Sequence, residues 1–301
     1  VMKVFITGGT GFVGRPTVAR LLERGHVVFL LVRNFDRATK IFGKSKRLIF
    51  VKGGLSHTSP WKHTIKKLKP DACIHLAWED IPDYGVDTSV KNMEQSIVLF
   101  RILGEAKCKR IIATGTCWEY GAATGKLRED MGLSPMLPYT AAKTAVHWLG
   151  KEIAERAGME FYWTRLFFVY GPGRKSPSLI SHLIASKKID NHPKLEKPLD
   201  GRDFIYVEDV ANVLVKLVES RGKNPYAVYN IGTGKLTSNA RIANLVYGKK
   251  ILREPRKPKG FWADISKIKK ELEWRPTIFP KEGVKMTLEY SGRNKEEYES
   301  R

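Results

Sequence analysis

Short apolar runs alternate with longer amphipathic stretches as far as about residue 166. Val4-Phe5-Ile6, His26–Val32, Leu48–Val51 and Arg110–Thr114 read as strands buried on both faces, the habit of a parallel sheet. Between the first two, Phe12–Arg24 sets Val13, Val18, Leu21 and Leu22 near one helical face, and Gly25 stops it. Thr88–Lys107 and Tyr139–Arg156 read as helices flanking the strand at 110. The alternation predicts an α/β fold, a doubly wound parallel sheet opening with a βαβ unit at residue 3. After Gly171-Pro172-Gly173 the pattern turns irregular. Pro177, Pro193 and Pro198 punctuate a loop-rich stretch with a short helix near Leu179–Ser186. Val207–Ser220 is helical again, and Ala227–Ile231 reads as a returning strand.

The first strand-to-helix turn is Thr7-Gly8-Gly9-Thr10-Gly11-Phe12-Val13-Gly14. Glycines at 8, 11 and 14 let backbone approach a pyrophosphate, and the helix that follows offers it N–H groups and a partial positive charge. The order is GxxGxxG rather than GxGxxG, and a turn of this kind can also serve packing alone. In a Rossmann sheet the cofactor is read about 20 residues further on. There the chain has Arg33-Asn34 instead of a carboxylate. A carboxylate would accept the ribose 2′-hydroxyl of NAD, whereas arginine pairs with the 2′-phosphate of NADP. Arg37 and Lys40 add charge, so NADP(H) is the expected cofactor; Asp36 placed at the ribose would restore NAD(H).

Tyr139-Thr140-Ala141-Ala142-Lys143 places a phenol and an ammonium on one helical face. The ammonium lowers the phenol pKa, so that the phenol can act as general acid in reduction and general base in oxidation. The same spacing also arises from a core tyrosine and a solvated lysine. Arg110–Thr114 runs into Gly115-Thr116-Cys117-Trp118-Glu119-Tyr120-Gly121, and Thr116 at that strand end is placed to orient a substrate carbonyl. The alternative is a threonine that satisfies turn backbone groups.

These segments, with Asp71–Ala77, Arg165–Pro172, Arg202–Val210, Tyr229–Gly234, Asp264–Lys267 and Trp274-Arg275-Pro276, resemble the extended short-chain dehydrogenase/reductases. Within them the likeness is to the nucleotide-sugar epimerase/dehydratase/reductase branch, over nearly the whole chain. The resemblance implies that Thr116, Tyr139 and Lys143 are catalytic, that Asn92 supports the lysine, and that Arg202 holds the substrate diphosphate. Expected cofactor contacts are Thr7, Gly8, Gly11, Phe12, Val13, Gly14, Arg33, Asn34, Leu55, Leu76, Ala77, Thr114, Tyr139 and Lys143; expected substrate contacts are Trp78, Thr116, Cys117, Trp118, Phe168, Arg202 and Asn230. The change of element pattern after residue 170 predicts a dinucleotide-binding domain of residues 1–170 and 205–232, with a smaller, discontinuous α+β substrate domain of 171–204 and 233–301. The helices at 88–107 and 139–156 would form a homodimer interface, with Ile97, Val98, Phe100, Val146, Trp148 and Leu149 as apolar surface or, equally, as core.

The chain departs from the branch in places. Gly54 follows the third strand where the family's aspartate contacts adenine, and Phe168 replaces an asparagine. Cys117 and Trp118 replace the acid pair that 4,6-dehydration needs. That leaves 4-keto reduction or 4-epimerisation of a nucleotide-diphosphate sugar. Epimerases of the branch retain NAD, so Arg33 tilts the expectation toward an NADP-dependent reductase. Cys117 reads as a small buried filler, and His147 as an exposed or hydrogen-bonded histidine. The sugar itself depends on loops around Trp78–Tyr84 and Ser176–Leu199.

Composition sets the bounds. With 301 residues, 42% of them hydrophobic, the chain can build one large or two modest cores. Three cysteines without framework or metal spacing point to a reducing compartment. No apolar run approaches the ~18–20 residues of a membrane span, and no leader is expected ahead of a strand at residue 3, so the expected place is the cytoplasm. The net charge of +22 exceeds what two anionic ligands require. Solvated lysine-rich faces explain it, and a polyanion or anionic membrane surface is the sharper alternative. A non-catalytic dinucleotide- or nucleic-acid-binding relative is the other function class, but it would need none of Thr116, Tyr139 and Lys143. The charged stretch Arg293–Arg301 is expected to fray.

Overall fold

The computed structural model describes residues 1–174, 178–190, 195–220 and 224–293. Ser176, Pro177, Pro193 and residues 294–301 lie outside them. In chain order the elements begin β1 (Lys3–Thr7), α1 (Gly14–Glu23), β2 (Val27–Val32), α2 (Phe35–Phe42), β3 (Leu48–Lys52), α3 (Ser59–Leu68), β4 (Ala72–His75) and α4 (Val86–Glu105). They continue with β5 (Arg110–Thr116), a 3₁₀ turn (Cys117–Tyr120), β6 (Gly125–Leu127), α5 (Pro138–Arg156), β7 (Glu160–Leu166), β8 (Phe168–Tyr170) and α6 (Leu179–Lys188). The rest are β9 (Asp200–Arg202), β10 (Phe204–Tyr206), α7 (Val207–Glu219), β11 (Tyr226–Ile231), β12 (Thr237–Ser238), α8 (Asn239–Tyr247), β13 (Lys259–Ala263), α9 (Ser266–Leu272) and α10 (Pro280–Arg293). Among the described residues no helix is long and apolar enough to cross a membrane.

The chain divides into two compact units. Unit 1 is Val1–Ala122, Gly132–Leu166 and Ala211–Tyr229; unit 2 is Ala123–Met131, Phe167–Val210 and Asn230–Arg301. The excursion Ala123–Met131, placed with the first domain by the sequence pattern, clusters with unit 2 because β6 pairs with β13.

In unit 1 a seven-stranded sheet runs β11-β7-β5-β4-β1-β2-β3. The pairs from β7 through β3 are parallel, with Thr7 beside His75 at the strand ends where the order reverses. That reversal is the switch point at which open α/β sheets bind ligands. The strands are apolar on both faces because helices cover both. Val4, Ile6, Val28, Leu30, Ile74 and Ile112 are fully buried. Val18 and Leu21 of α1 are buried as the helical pattern requires. Phe100 and Val146, expected at a dimer face or in the core, belong to the core; Val98, Trp148 and Leu149 stay exposed.

Unit 2 has shorter strands. β12, β9, β13 and β6 form one small sheet, and β8 pairs with β10 in another. Tyr170, Leu183, Ile184, Phe204 and Tyr206 make its core with Ile242 and Val246 of α8 and Val284 of α10.

Candidate active site

The glycine turn is shaped by close packing. Gly8 has φ +72°, and a Cβ there would meet the Ala77 nitrogen at 2.7 Å and the Leu76 carbonyl carbon at 2.8 Å. Leu76 and Ala77 thus form the floor of the turn. At Gly14 a Cβ would lie 2.3 Å from the Gly8 oxygen, so only glycine lets α1 begin directly against the turn. At Gly11 the sole neighbour of such a Cβ is the Gly8 oxygen at 3.1 Å. This cradle, with a helix N-terminus behind it, fits a dinucleotide pyrophosphate.

Beneath it runs a buried polar chain. The Thr7 hydroxyl lies 2.7 Å from His75 Nδ1, His75 Nε2 lies 2.9 Å from Ser96 Oγ, and Ser96 donates to the Asn92 carbonyl at 2.7 Å. Burial pushes the His75 pKa down to about 3, so the ring is neutral and the chain joins β1, β4 and α4 without charge.

The catalytic candidates meet at the end of β5. Lys143 is buried, and its ammonium donates to the Thr114 carbonyl at 2.8 Å and lies 4.0 Å from the centre of the Trp78 ring. Burial pulls its pKa down to about 7, against the opposing pull of the Glu119 carboxylate. Tyr139, one turn earlier on α5, is 9% exposed. Its ring meets Trp78 edge to face at 5.4 Å and Tyr84 at 5.2 Å, and Tyr84 meets Trp118 at 5.8 Å. Phenol and ammonium therefore share a nearly dry aromatic box, where electrostatic effects are strong. Thr116 holds the strand end: its hydroxyl oxygen accepts from the Trp118 N–H at 3.3 Å, and its own N–H donates to Glu119 Oε1 at 2.8 Å.

Several assignments change. Asn92 does not support Lys143. Its amide oxygen accepts from the Glu79 N–H at 2.6 Å, and its amide nitrogen donates to the Glu79 and Thr88 carbonyls at 3.2 and 2.8 Å. Arg33 is not left free for a phosphate, because its guanidinium pairs with Glu79 Oε1 at 2.9 Å. Asn34 caps α2 by accepting from the Arg37 N–H at 2.8 Å, and Leu55 is core. Asn230 is fully buried: it donates to the Leu127 carbonyl and takes Glu129 on its backbone N–H, both at 2.9 Å, so it is a structural tie of unit 2. Cys117 is buried. His147 is the hydrogen-bonded histidine of the two expected alternatives: it is buried, stacked on Trp148 and Trp163, with Nε2 2.7 Å from the Tyr226 hydroxyl.

Within unit 2, Arg202 lies over the Phe168 ring at 4.8 Å and the Phe261 ring at 5.8 Å. Sequence reasoning missed two residues. Glu79 is one. Glu119 is the other, fully buried, accepting from Arg165 Nε at 2.9 Å, Trp163 Nε1 at 3.1 Å and the Thr116 N–H. A charged residue directly after apolar Cys117-Trp118 was the only local signal for Glu119.

Residues 4–232 match the NAD dependent epimerase/dehydratase family, and the chain belongs to that family. It is 28% identical to a UDP-glucuronate 4-epimerase of Thermodesulfobacterium geofontis, covering 96% of both chains. It is 27% identical to a bifunctional UDP-glucose and UDP-xylose 4-epimerase of Pisum sativum over 91% of each. Its fold matches the UDP-glucose 4-epimerase of Thermotoga maritima solved with UDP-glucose, at TM-score 0.82 and 21% identity over 98% of this chain and 100% of that one. It matches the dTDP-glucose 4,6-dehydratase of Bacillus anthracis solved with NAD equally well, at TM-score 0.82 and 23% identity over 99% and 98%.

Proposed function

We propose that this protein oxidises and re-reduces C4 of a nucleotide-diphosphate sugar, and that the net reaction is 4-epimerisation with NAD. The observation that carries the reading is the Tyr139–Lys143 pair, one helical turn apart and buried against Trp78, with the ammonium bonded to the Thr114 carbonyl at the end of β5. The relatives support the epimerase form, since both of those named above act as 4-epimerases of UDP-sugars. A 4,6-dehydration lacks its acid pair, because Cys117 and Trp118 carry no carboxyl.

When bound, the nicotinamide accepts a hydride and returns it; the rest of the chemistry belongs to this chain. Gly8, Gly11 and Gly14 would hold the pyrophosphate. The Tyr139 phenolate takes the C4 hydroxyl proton as the carbonyl forms, then gives it back once the ketone has turned its other face. Lys143, when protonated, favours the phenolate by charge. Thr116 orients the C4 oxygen. No proton and no reducing equivalent is consumed over a cycle. Arg202, held on two aromatic rings, would bind the diphosphate. Exposed Val98, Trp148 and Leu149 on α4 and α5 support a homodimer.

Tyr139→Phe is the test, with a panel of UDP-sugars and cofactor in excess. Loss of about 10²–10⁴-fold in kcat is expected; retention of more than half of the activity rules the phenol out. One observation favours a second reading, an NADP-dependent 4-keto reductase: Arg33 at the end of β2 is 72% exposed despite its partner. Stoichiometric NADPH consumption with a 4-keto sugar nucleotide, and no epimer formed, would establish it instead.

A further inference from the structure

Around the exit of β2 lies a cavity of about 850 Å³, bordered by Arg33, Gly53, Gly54, Ser56, Glu79 and Lys91. Its volume falls in the range of small-molecule sites. In a doubly wound sheet the residue at the end of β2 meets the adenosine ribose. Here that residue is Arg33, and the carboxylate that faces it comes from elsewhere in the chain. Glu79 Oε1 is 2.9 Å from Arg33, Glu79 Oε2 is 3.2 Å from Lys91 Nζ, and the carboxylate is only 13% exposed. Lys91 is shared with Asp80 at 3.3 Å. The backbone under Glu79 does not drift, because Asn92 grips both its N–H and its carbonyl, and Asn92 is itself buried.

Resting on the reading of this chain as a dinucleotide-dependent enzyme, we propose that Glu79 decides which dinucleotide it takes. Glu79 supplies from the β4 side the carboxylate that β2 lacks. It accepts the unmodified 2′-hydroxyl, and by occupying Arg33 and Lys91 it withholds them from a 2′-phosphate. The chain is thereby an NAD enzyme despite its arginine. Asn92 is the positioning residue that keeps Glu79 there. Without the carboxylate the same corner presents two cations and becomes an NADP site.

The test is binding of NAD⁺ and NADP⁺ by calorimetry to the full chain, wild type beside Glu79→Gln and Arg33→Gln, with a thermal melt to show that each variant folds. The wild type is expected to prefer NAD⁺. Glu79→Gln should move the ratio of the two dissociation constants toward NADP⁺ by about tenfold or more, the worth of one charge-assisted contact. Arg33→Gln alone should leave both cofactors within about twofold, because Glu79 already occupies the guanidinium, whereas Arg33→Gln added to Glu79→Gln should take back most of the gain in NADP⁺ affinity, as expected if the freed arginine holds the phosphate. If Glu79→Gln weakens both equally, or leaves the ratio unchanged, Glu79 is a structural brace and the proposal falls. If the wild type binds neither dinucleotide, the parent reading falls with it. Glu79→Asp, which keeps the charge, should keep the wild-type preference, and a switch to NADP⁺ in that variant would also overturn the proposal.

Discussion

Each of the two units of this chain is stabilised internally by its own means. Unit 1 rests on a parallel sheet whose strands are apolar on both faces, and one set of its buried polar groups, Thr7, His75, Thr114 and Lys143, lies at the C-terminal strand ends. Unit 2 has strands of two to five residues, too short to carry a fold by apolar periodicity. Buried carboxylates stitch it instead. Asp203 accepts from the Thr233 N–H at 2.7 Å, its hydroxyl at 2.5 Å, the Gly234 N–H at 2.9 Å and the Ala263 N–H at 3.1 Å. Asp209 does the same for Thr277 and Ile278. The difference teaches where polar burial is structural and where it is functional. In unit 2 the donors exhaust the carboxylate. In unit 1 a buried ammonium is left partly uncompensated.

The sharpest way to break that contrast is Asp203→Ala. It leaves three backbone N–H groups and a hydroxyl without their buried acceptor, a loss of roughly 3 kcal/mol or more. Hydrogen exchange should show protection lost at 200–206, 230–234 and 259–263 while β1, β4 and β5 keep theirs. Equal loss in both units would mean that the two are not separately stitched.

Next in size is Lys143→Met, a nearly volume-preserving change. In the folded chain Lys143 titrates near 7, against an ordinary lysine value of 10.5. Between those values the unfolded chain binds more protons than the folded one, so wild-type stability rises with pH across that window. Below about pH 7 both states are protonated and the full burial penalty stands. Lys143→Met removes it. The variant should be inactive yet more stable than wild type at pH 6, with the gap narrowing toward pH 10 in urea melts. A gap that widens with pH would show that Lys143 is stabilised by its surroundings, and would remove the functional reading of its burial.

What the sequence revealed follows the same division. Gly8, Gly14, Tyr139 and Lys143 could be singled out because each stands in a short spacing motif, whereas the Leu76, Ala77, Trp78 and Thr114 that they touch lie far off in the chain and carry no such signal. The parallel, doubly wound sheet was legible because apolar runs alternate with amphipathic ones. Arg33 was read without Glu79, which lies 46 residues away and meets it only because β4 ends beside β2's neighbour β1. Asn92 was assigned to Lys143, and Asn230 to substrate, because each matched a family position while its hydrogen bonds were spent elsewhere. Phe100 and Val146 could not be told from surface residues, since a helix covered on two sides has apolar residues on both. Unit 2 left little to read, because a carboxylate bound to backbone N–H groups from distant segments has no period.

The smallest expected effect lies where the two strategies meet in one residue. Phe168 stands in unit 2, and Arg202 lies 4.8 Å over its ring. A cation over an aromatic face at a partly exposed site contributes about 0.5–1 kcal/mol. The ring therefore orients Arg202 and does not itself bind an anion. Phe168→Ala should loosen the guanidinium while Phe261 still holds it at 5.8 Å. The KM for a nucleotide-diphosphate sugar should rise about two- to fivefold, the same energy read as a binding loss, with kcat unchanged. UDP inhibition should weaken by the same factor, because the diphosphate is the shared group. A fall in kcat at constant KM would place Phe168 in the chemistry and leave Arg202 without an assigned anchor. Unchanged values for both would mean that Phe261 alone holds the arginine.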